Sequence, residues 1–458
     1  MARLEAWKQS NCRKPVLMQG ARQVGKTYLL EQFGHDHFPA YHRFDFAEEP
    51  ALCSIFDADL RPERIVRDLG LAHDVDINLE QDLLIMDEIQ RCPKALASLK
   101  YFAEKMPNAF VCGSGSLLGL GLSDDLFPVG KVERLHLYPM TFREFLLGMG
   151  CQRLEEARSS ATLEATLPEI VHDRLWEHYK YYLITGGLPE VVTTFRKYFD
   201  NLPEAFAQTR RLQLSLLEDY TNDIAKHSGK LKAVRVESVL RSVPMQLARE
   251  TGGVHKFLFR GVLDTGSRYS TLEGPIAWLQ KAGLIHKVMI SSCAELPFDA
   301  TANERRFKLY LFDVGLLGAM LELAPKTIFG YAYGHYKGYF AENAILTELV
   351  ARWNRPPHCW QSGTSEIEFL MDIEGEVVPV EVKAGINTKA KSLSVFRAKY
   401  DPRHSLLLTA APLAAMAQGC AHLPLYLADR LPEAALIHGA PGQEDLPTRG
   451  VDGPRIGL

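Results

Sequence analysis

The sequence predicts an α/β protein of several domains, and three observations predict it. A glycine-bracketed loop, Gly20-Ala21-Arg22-Gln23-Val24-Gly25-Lys26-Thr27, separates an apolar run at residues 16–18 from a helix-like run at 28–33. A second apolar run, Leu83-Leu84-Ile85-Met86, ends in Asp87-Glu88. Near the other end, alternating stretches at 365–371 and 377–383 flank the turn Glu374-Gly375. Short continuous apolar runs followed by helices read as strands of a buried parallel sheet, whereas alternation about a glycine turn reads as an antiparallel hairpin.

The loop follows the spacing of a phosphate-binding loop: Gly, four residues, Gly-Lys-Thr, between strand and helix. Its glycines let the main chain approach phosphate closely, and successive amides with the positive end of the next helix stabilise the negative charge. All eight residues, 20 to 27, are therefore candidates to bind ATP. Lys26 is expected to reach the β- and γ-phosphates, and the Thr27 hydroxyl to hold Mg²⁺. Asp87, at the carboxyl end of its strand, is the expected partner of that Mg²⁺ or of Thr27, and Glu88 is the expected base that orients and deprotonates water. The structural alternative for this acidic pair is a cap on the helix around Pro93. A third strand at 109–112 leads into Gly113-Ser114-Gly115-Ser116, where Ser114 is the candidate sensor of the γ-phosphate.

Composition bounds the rest. The 458 residues suggest about three domains, and 47% hydrophobic residues suffice for several cores. A net charge of −4 argues against a globally basic nucleic-acid binder while leaving room for a local basic face. Eight cysteines without C-x-x-C or other metal-ligand spacing predict reduced thiols in a reducing cytoplasm and no zinc. Neither a signal peptide nor a membrane span is expected: the start lacks an apolar core, and the most apolar later stretch, 406–416, is short and broken by Pro412.

Five signatures occur in order: Gly-Ala-Arg-Gln-Val-Gly-Lys-Thr, Met-Asp-Glu-Ile-Gln, Gly-Ser-Gly-Ser, Tyr-Pro-Met-Thr-Phe-Arg-Glu-Phe, and Gly186-Gly187-Leu188-Pro189-Glu190. Together they resemble a large prokaryotic family of AAA+-like ATPases, related to the archaeal-type ATPases, with a C-terminal domain of unknown function. The resemblance spans roughly residues 10 to 430. It implies a P-loop NTPase (AAA+-like) core, a helical lid containing the Gly-Gly-Leu-Pro turn, a winged-helix segment and a restriction-endonuclease-like end. Enzymes of this class usually take an arginine from a neighbouring subunit. Here Lys131 stands at that place, unable to form arginine's planar fork, with Arg134 as an alternative.

The expected organisation is a core at 1–150, a lid at 151–230, a winged-helix-like segment at 231–295, a nuclease-like domain at 296–434 and a flexible tail at 435–458. The lid shows helical periodicity with aromatics, which usually means core, and Gly186, Gly187 and Pro189 are expected to form a sharp turn over the nucleotide, with a plain inter-helix turn as the alternative. From Lys226 to Lys287 there are eleven Lys or Arg against four Asp or Glu. Arg268, Tyr269, Ser270 and Thr271 begin the second helix there, where a DNA reader places its contacts.

In the last domain, alternation places Glu381 and Lys383 on one face of a strand, with Glu368 beside them and Glu342 at the start of a preceding helix. Two carboxylates for a divalent ion and a lysine to position water form the PD-(D/E)xK nuclease pattern, although Glu368 stands where that pattern has Asp. An exposed cross-strand Glu–Lys pair is the alternative. Beyond it, Lys389, Lys391, Arg397 and Lys399 with Phe396 and Tyr400 suggest a backbone-binding helix. The expected function is an Mg²⁺-dependent ATPase acting as a nucleotide-driven switch whose C-terminal part engages DNA or RNA. The alternative is a non-nucleolytic regulatory or scaffold ATPase that binds a protein partner.

Overall fold

The computed structural model describes residues 1–431 apart from 12, 117–126, 248–255, 264–267, 332, 333, 335, 387, 388 and 416–418. The expected tail at 435–458 lies outside the described residues.

Two sheets organise the chain. The first contains β1 (Val16–Gln19), β2 (Tyr41–Asp45), β3 (Leu83–Asp87), β4 (Phe110–Gly115) and β5 (Glu133–His136), in the order β2-β3-β4-β1-β5. All of its pairings are parallel. Every residue of β3 is buried, as its continuous apolar run requires, and each fully buried Leu or Ile contributes about 1.5–3 kcal/mol. Register aligns the functional ends: Asp45 pairs with Asp87, and Gln19 pairs with Gly115. Helices Lys26–His37, Pro62–His73 and Pro93–Lys105 pack around this sheet, the last two each begun by a proline whose fixed φ suits a first helical turn.

A helical layer follows: Phe142–Gly148, Gln152–Ser160, Glu169–Thr185, Pro189–Lys197 and the 27-residue helix Leu202–Ser228. Thr141 starts it with a reciprocal capping box to Glu144. The aromatics of the expected lid are core, as Phe142, Tyr179 and Tyr182 pack ring against ring.

The second sheet contains β6 (Ile285–Ser291), β7 (Ala302–Leu311), β8 (His358–Ser362), β9 (Ser365–Ile373), β10 (Glu376–Val382), β11 (Ser405–Thr409), β12 (Ala414–Ala415) and β13 (Cys420–Pro424). Its order is β12-β13-β11-β10-β9-β8-β6-β7. The expected hairpin is β9–β10, antiparallel, with Glu374 and Gly375 at φ 54° and 85°, the double left-handed turn that matches strand twist.

One expected boundary is corrected. The helices Lys230–Leu247 and Tyr269–Lys281 and then β6 occur in the anticipated order. However, β6 pairs antiparallel with β7 and parallel with β8, so a division at 295/296 cuts a sheet in two. The ladder amides of β6 need partners on both sides, and the later strands supply them. Tyr269 accordingly packs on Phe259 and Phe307. Phe396 is likewise buried, against Trp360 and Tyr400, and offers no stacking face.

The lid and the C-terminal end are locked together by Arg158, which is fully buried. Its guanidinium donates to Glu155, to both oxygens of Asp429 at 2.6 and 2.8 Å, and to the Tyr426 carbonyl at 2.9 Å. Among the described residues the cysteines are free thiols, and no helix is long and apolar enough to cross a membrane.

Candidate functional site

The phosphate loop closes on itself. Gly25 sits at φ 92°, a conformation that L side chains rarely adopt, and leads directly into the helix Lys26–His37. Lys26 is buried, and its ammonium donates to the carbonyls of Gly20 at 3.1 Å and Ala21 at 2.7 Å. Burial lowers its pKa to about 8, with Glu88 and Asp87 opposing the shift and Arg22 adding to it. A buried ammonium held only by neutral carbonyls is a place for phosphate, whose charge would restore what burial has removed.

Asp87 is the fixed point of the site. One carboxylate oxygen accepts from the Thr27 hydroxyl at 2.8 Å and from Arg43 Nε at 3.1 Å. The other accepts from Ser114 Oγ and from the Glu88 amide at 3.0 Å. Four donors orient this carboxylate, and Thr27 beside it completes a pair that would hold Mg²⁺ with ATP. Glu88 adopts φ 47°, a left-handed conformation uncommon for a non-glycine residue. Strain of this kind costs about 1–3 kcal/mol and persists where surrounding structure holds a residue for function. Its carboxylate accepts from Gln90 Nε2. Thus Thr27, Glu88 and Ser114 meet at Asp87, with Lys26 on the neighbouring loop carbonyls.

Several residues matter that sequence reading missed. Arg43 bridges Asp87, Asp45 and Glu31, placing a fixed cation behind the Mg²⁺ pair. Strand alternation from Asp45 puts Arg43 on the same face, a signal that was available. Arg22 forms an ion pair with Asp223 of the helix Leu202–Ser228, and Tyr220 of that helix donates to the Arg22 carbonyl at 2.9 Å. The loop is therefore gripped from the helical layer, a long-range contact without a local signal.

Gly187 requires a correction. Its amide donates to Asp313 at 2.7 Å and its carbonyl accepts from Met140 at 2.7 Å. A Cβ there would lie 2.1 Å from the Met140 carbonyl oxygen. Both polar groups are engaged within the protein, so Gly187 is a packing glycine and not a nucleotide ligand. Pro189, two residues on, is the part of the turn that approaches the loop, 3.4 Å from where a Gly25 Cβ would stand. Lys131 pairs with Glu104 at 2.9 Å, and Arg134 lies over the Phe127 ring.

The C-terminal carboxylates also converge, but on lysines. Register puts Val380 opposite Phe369, so Glu381 and Glu368 face each other one residue further along the hairpin. Glu368 accepts from the Val382 amide at 3.0 Å, Glu381 pairs with Lys383 at 2.6 Å, and Glu342 accepts from the Tyr310 hydroxyl at 2.8 Å. Lys308, unforeseen from sequence, is buried between Glu342, at 3.5 Å, and Glu366. Burial alone would lower its pKa, but these two carboxylates outweigh it and hold the ammonium well above its usual value. Burial, then the facing Glu381, pushes Glu368 well above the usual carboxyl range. Burial also raises Glu381, whose second oxygen is buried without a hydrogen-bond partner.

Among the described residues no group of three or more His, Cys, Asp or Glu side chains has a metal-holding arrangement. By that measure the expected divalent site at Glu342, Glu368 and Glu381 is not preformed: ammonium groups, an amide and a hydroxyl face these carboxylates.

One family match covers the first site. Residues 12–146, which include the loop, β3 and β4, match a family described as an AAA domain. Residues 176–327 and 337–422 match two families described as domains of unknown function, DUF8612 and DUF4143. No curated protein matches. Among solved structures, a Walker-type ATPase of Pyrococcus abyssi is similar over 70% of this chain and 94% of its own, at 16% identity and a TM-score of 0.43. The Aeropyrum pernix ORC1 protein, solved in complex with DNA, is similar over 70% and 89%, at 14% identity and 0.28. The Thermotoga maritima RuvB Holliday junction branch migration motor is similar over 62% and 85%, at 16% and 0.28. Residues 12–146 are thus similar to an AAA domain, the region that carries the phosphate loop and Asp87.

Proposed function

We propose that this protein is an Mg²⁺-dependent ATP hydrolase that works as a nucleotide-driven switch, with a C-terminal domain that binds its target without cutting it. The observation that carries the hydrolase reading is the saturated Asp87 carboxylate, which ties Thr27, Ser114 and Glu88 into one rigid unit beside the Lys26 ammonium. In this reading Lys26 and the loop amides hold the triphosphate, Thr27 and Asp87 hold Mg²⁺, and Glu88 takes the proton of the attacking water. Bound Mg²⁺ would neutralise charge that develops on the phosphates.

The switch rests on the grip of the helix Leu202–Ser228 on the loop. Phosphate drawing Arg22 away from Asp223 would shift that helix, whose Tyr220 packs on Phe312 next to Asp313, the residue holding Gly187. Binding without cleavage is favoured by the lysine-filled carboxylate cluster, which supports the scaffold alternative over a nuclease. The test is to incubate purified protein, with Mg²⁺ or Mn²⁺ and with or without ATP, with single- and double-stranded DNA and RNA beside Lys383→Ala. ATP hydrolysis without strand cleavage is expected. Cleavage that disappears in Lys383→Ala would overturn the non-nucleolytic reading.

A further inference from the structure

A cleft of about 680 Å³ lies outside the carboxyl ends of β1, β4 and β5, walled on its far side by the end of the helix Tyr269–Lys281 and by β6. Its volume falls in the range of small-molecule sites, about 300–1,000 Å³, and the carboxyl ends of parallel strands are where α/β sheets receive ligands. It borders Gly20 and Ala21 of the phosphate loop but not Lys26, Thr27, Asp87 or Glu88, so it is not the Mg²⁺-phosphate site.

Three features define what it would accept. Arg134, Lys281 and Lys287 line it, and none of the described lining residues is acidic, so the field inside favours an anion. The rings of His136 and Tyr138 stack at 6.2 Å and 22°, and Tyr138 lies 6.3 Å from the ring of His286, forming an aromatic wall. The Tyr138 hydroxyl donates to Asn354 at 2.8 Å, which fixes that ring. Finally, His286 is nine-tenths buried and lines the cleft. Burial lowers its pKa to about 4, leaving a neutral imidazole that carries one donor and one acceptor. A ligand with a hydrogen-bonding edge could meet either ring nitrogen.

We infer that this cleft is a second ligand site, distinct from the phosphate loop, for a planar heterocycle carrying phosphate: a nucleotide, either free or at the end of a single strand. The base would lie along the aromatic wall with its polar edge toward His286, and the phosphate would meet the cationic side chains.

The experiment uses the full-length chain carrying Lys26→Ala, which removes the loop's hold on phosphate, titrated by calorimetry with AMP and with a short 5′-phosphorylated oligothymidylate. Binding of AMP is expected, weakened at least about tenfold by His286→Leu and by Lys281→Glu. In the wild-type chain the same two substitutions should leave Mg²⁺-ATP binding at the loop unchanged, and repeating the AMP titration there keeps the test independent of the loop variant. AMP alone would identify a free nucleotide as the ligand, and mutual competition between AMP and the oligonucleotide a strand end; either upholds the site. No heat from either probe, or binding indifferent to both substitutions, would overturn it.

Discussion

Two groups of buried carboxylates answer the same electrostatic problem in opposite ways. At the loop, Asp87 is satisfied by hydroxyls, an amide and one guanidinium, and the neighbouring Lys26 ammonium rests on carbonyls alone. Around the second sheet, Glu342 and Glu366 meet Lys308, Glu381 meets Lys383, and Glu368 accepts from the Val382 amide. In the proposed reading, an anion with a divalent cation completes the first arrangement. The second already carries its own cations. A motif of acids and lysines therefore says less than how the charges are paired, because a buried ammonium already bonded to carboxylate leaves no coordination to offer.

Four substitutions or conditions sharpen this contrast. The largest effect on stability is expected from Lys308→Met, which strips the buried acids of their internal cation. Such a change costs about 3–5 kcal/mol, measurable by urea denaturation, and Lys308→Met with Glu366→Gln should recover part of it. An unchanged unfolding midpoint would mean that the lysine does not neutralise the cluster. At the loop, Glu88→Gln should keep Mg²⁺-ATP affinity while kcat falls about 10²–10⁴-fold; equal turnover removes Glu88 as the base.

A smaller effect should follow from pH. Because the Lys26 ammonium begins to lose its proton near pH 8, and not near 10.5, Mg²⁺-ATP affinity should weaken above about pH 8 by up to about tenfold per unit. Below pH 8 the loop is protonated and affinity should be flat; a flat profile up to pH 10 would show that Lys26 is not depressed. The smallest effect is expected from Ser114→Ala, which removes one of four donors to Asp87 and should cost about 1 kcal/mol in kcat/KM, with Asp87 still held by Thr27. A loss as large as that of Glu88→Gln would make Ser114 a direct participant in the chemistry.

The loop, the end of β3 and the hairpin were legible in the sequence because each is fixed by local rules: glycine spacing, a continuous apolar run, alternation about a turn. Their immediate neighbours Thr27, Asp87 and Ser114 followed from strand ends aligning in a parallel sheet. The cation Lys308 was not legible, since β7 lies at the far edge of a sheet whose order no local pattern reveals. For the same reason β6 read as the end of a separate segment, although its ladder partners come from β7 and β8. Gly187 was open to two readings because a glycine needed for contact with Met140 looks, in sequence, the same as one needed for a ligand.

The central claim is that the amino-terminal loop is a preformed Mg²⁺-ATP site built on Lys26. Calorimetric titration of Mg²⁺-ATP into the wild-type chain and into Lys26→Ala tests it most directly. Saturable binding in the first and a loss of at least about a hundredfold, near 3 kcal/mol, in the second is the result the account predicts. Equal heats from both folded proteins, or none from either, would contradict it.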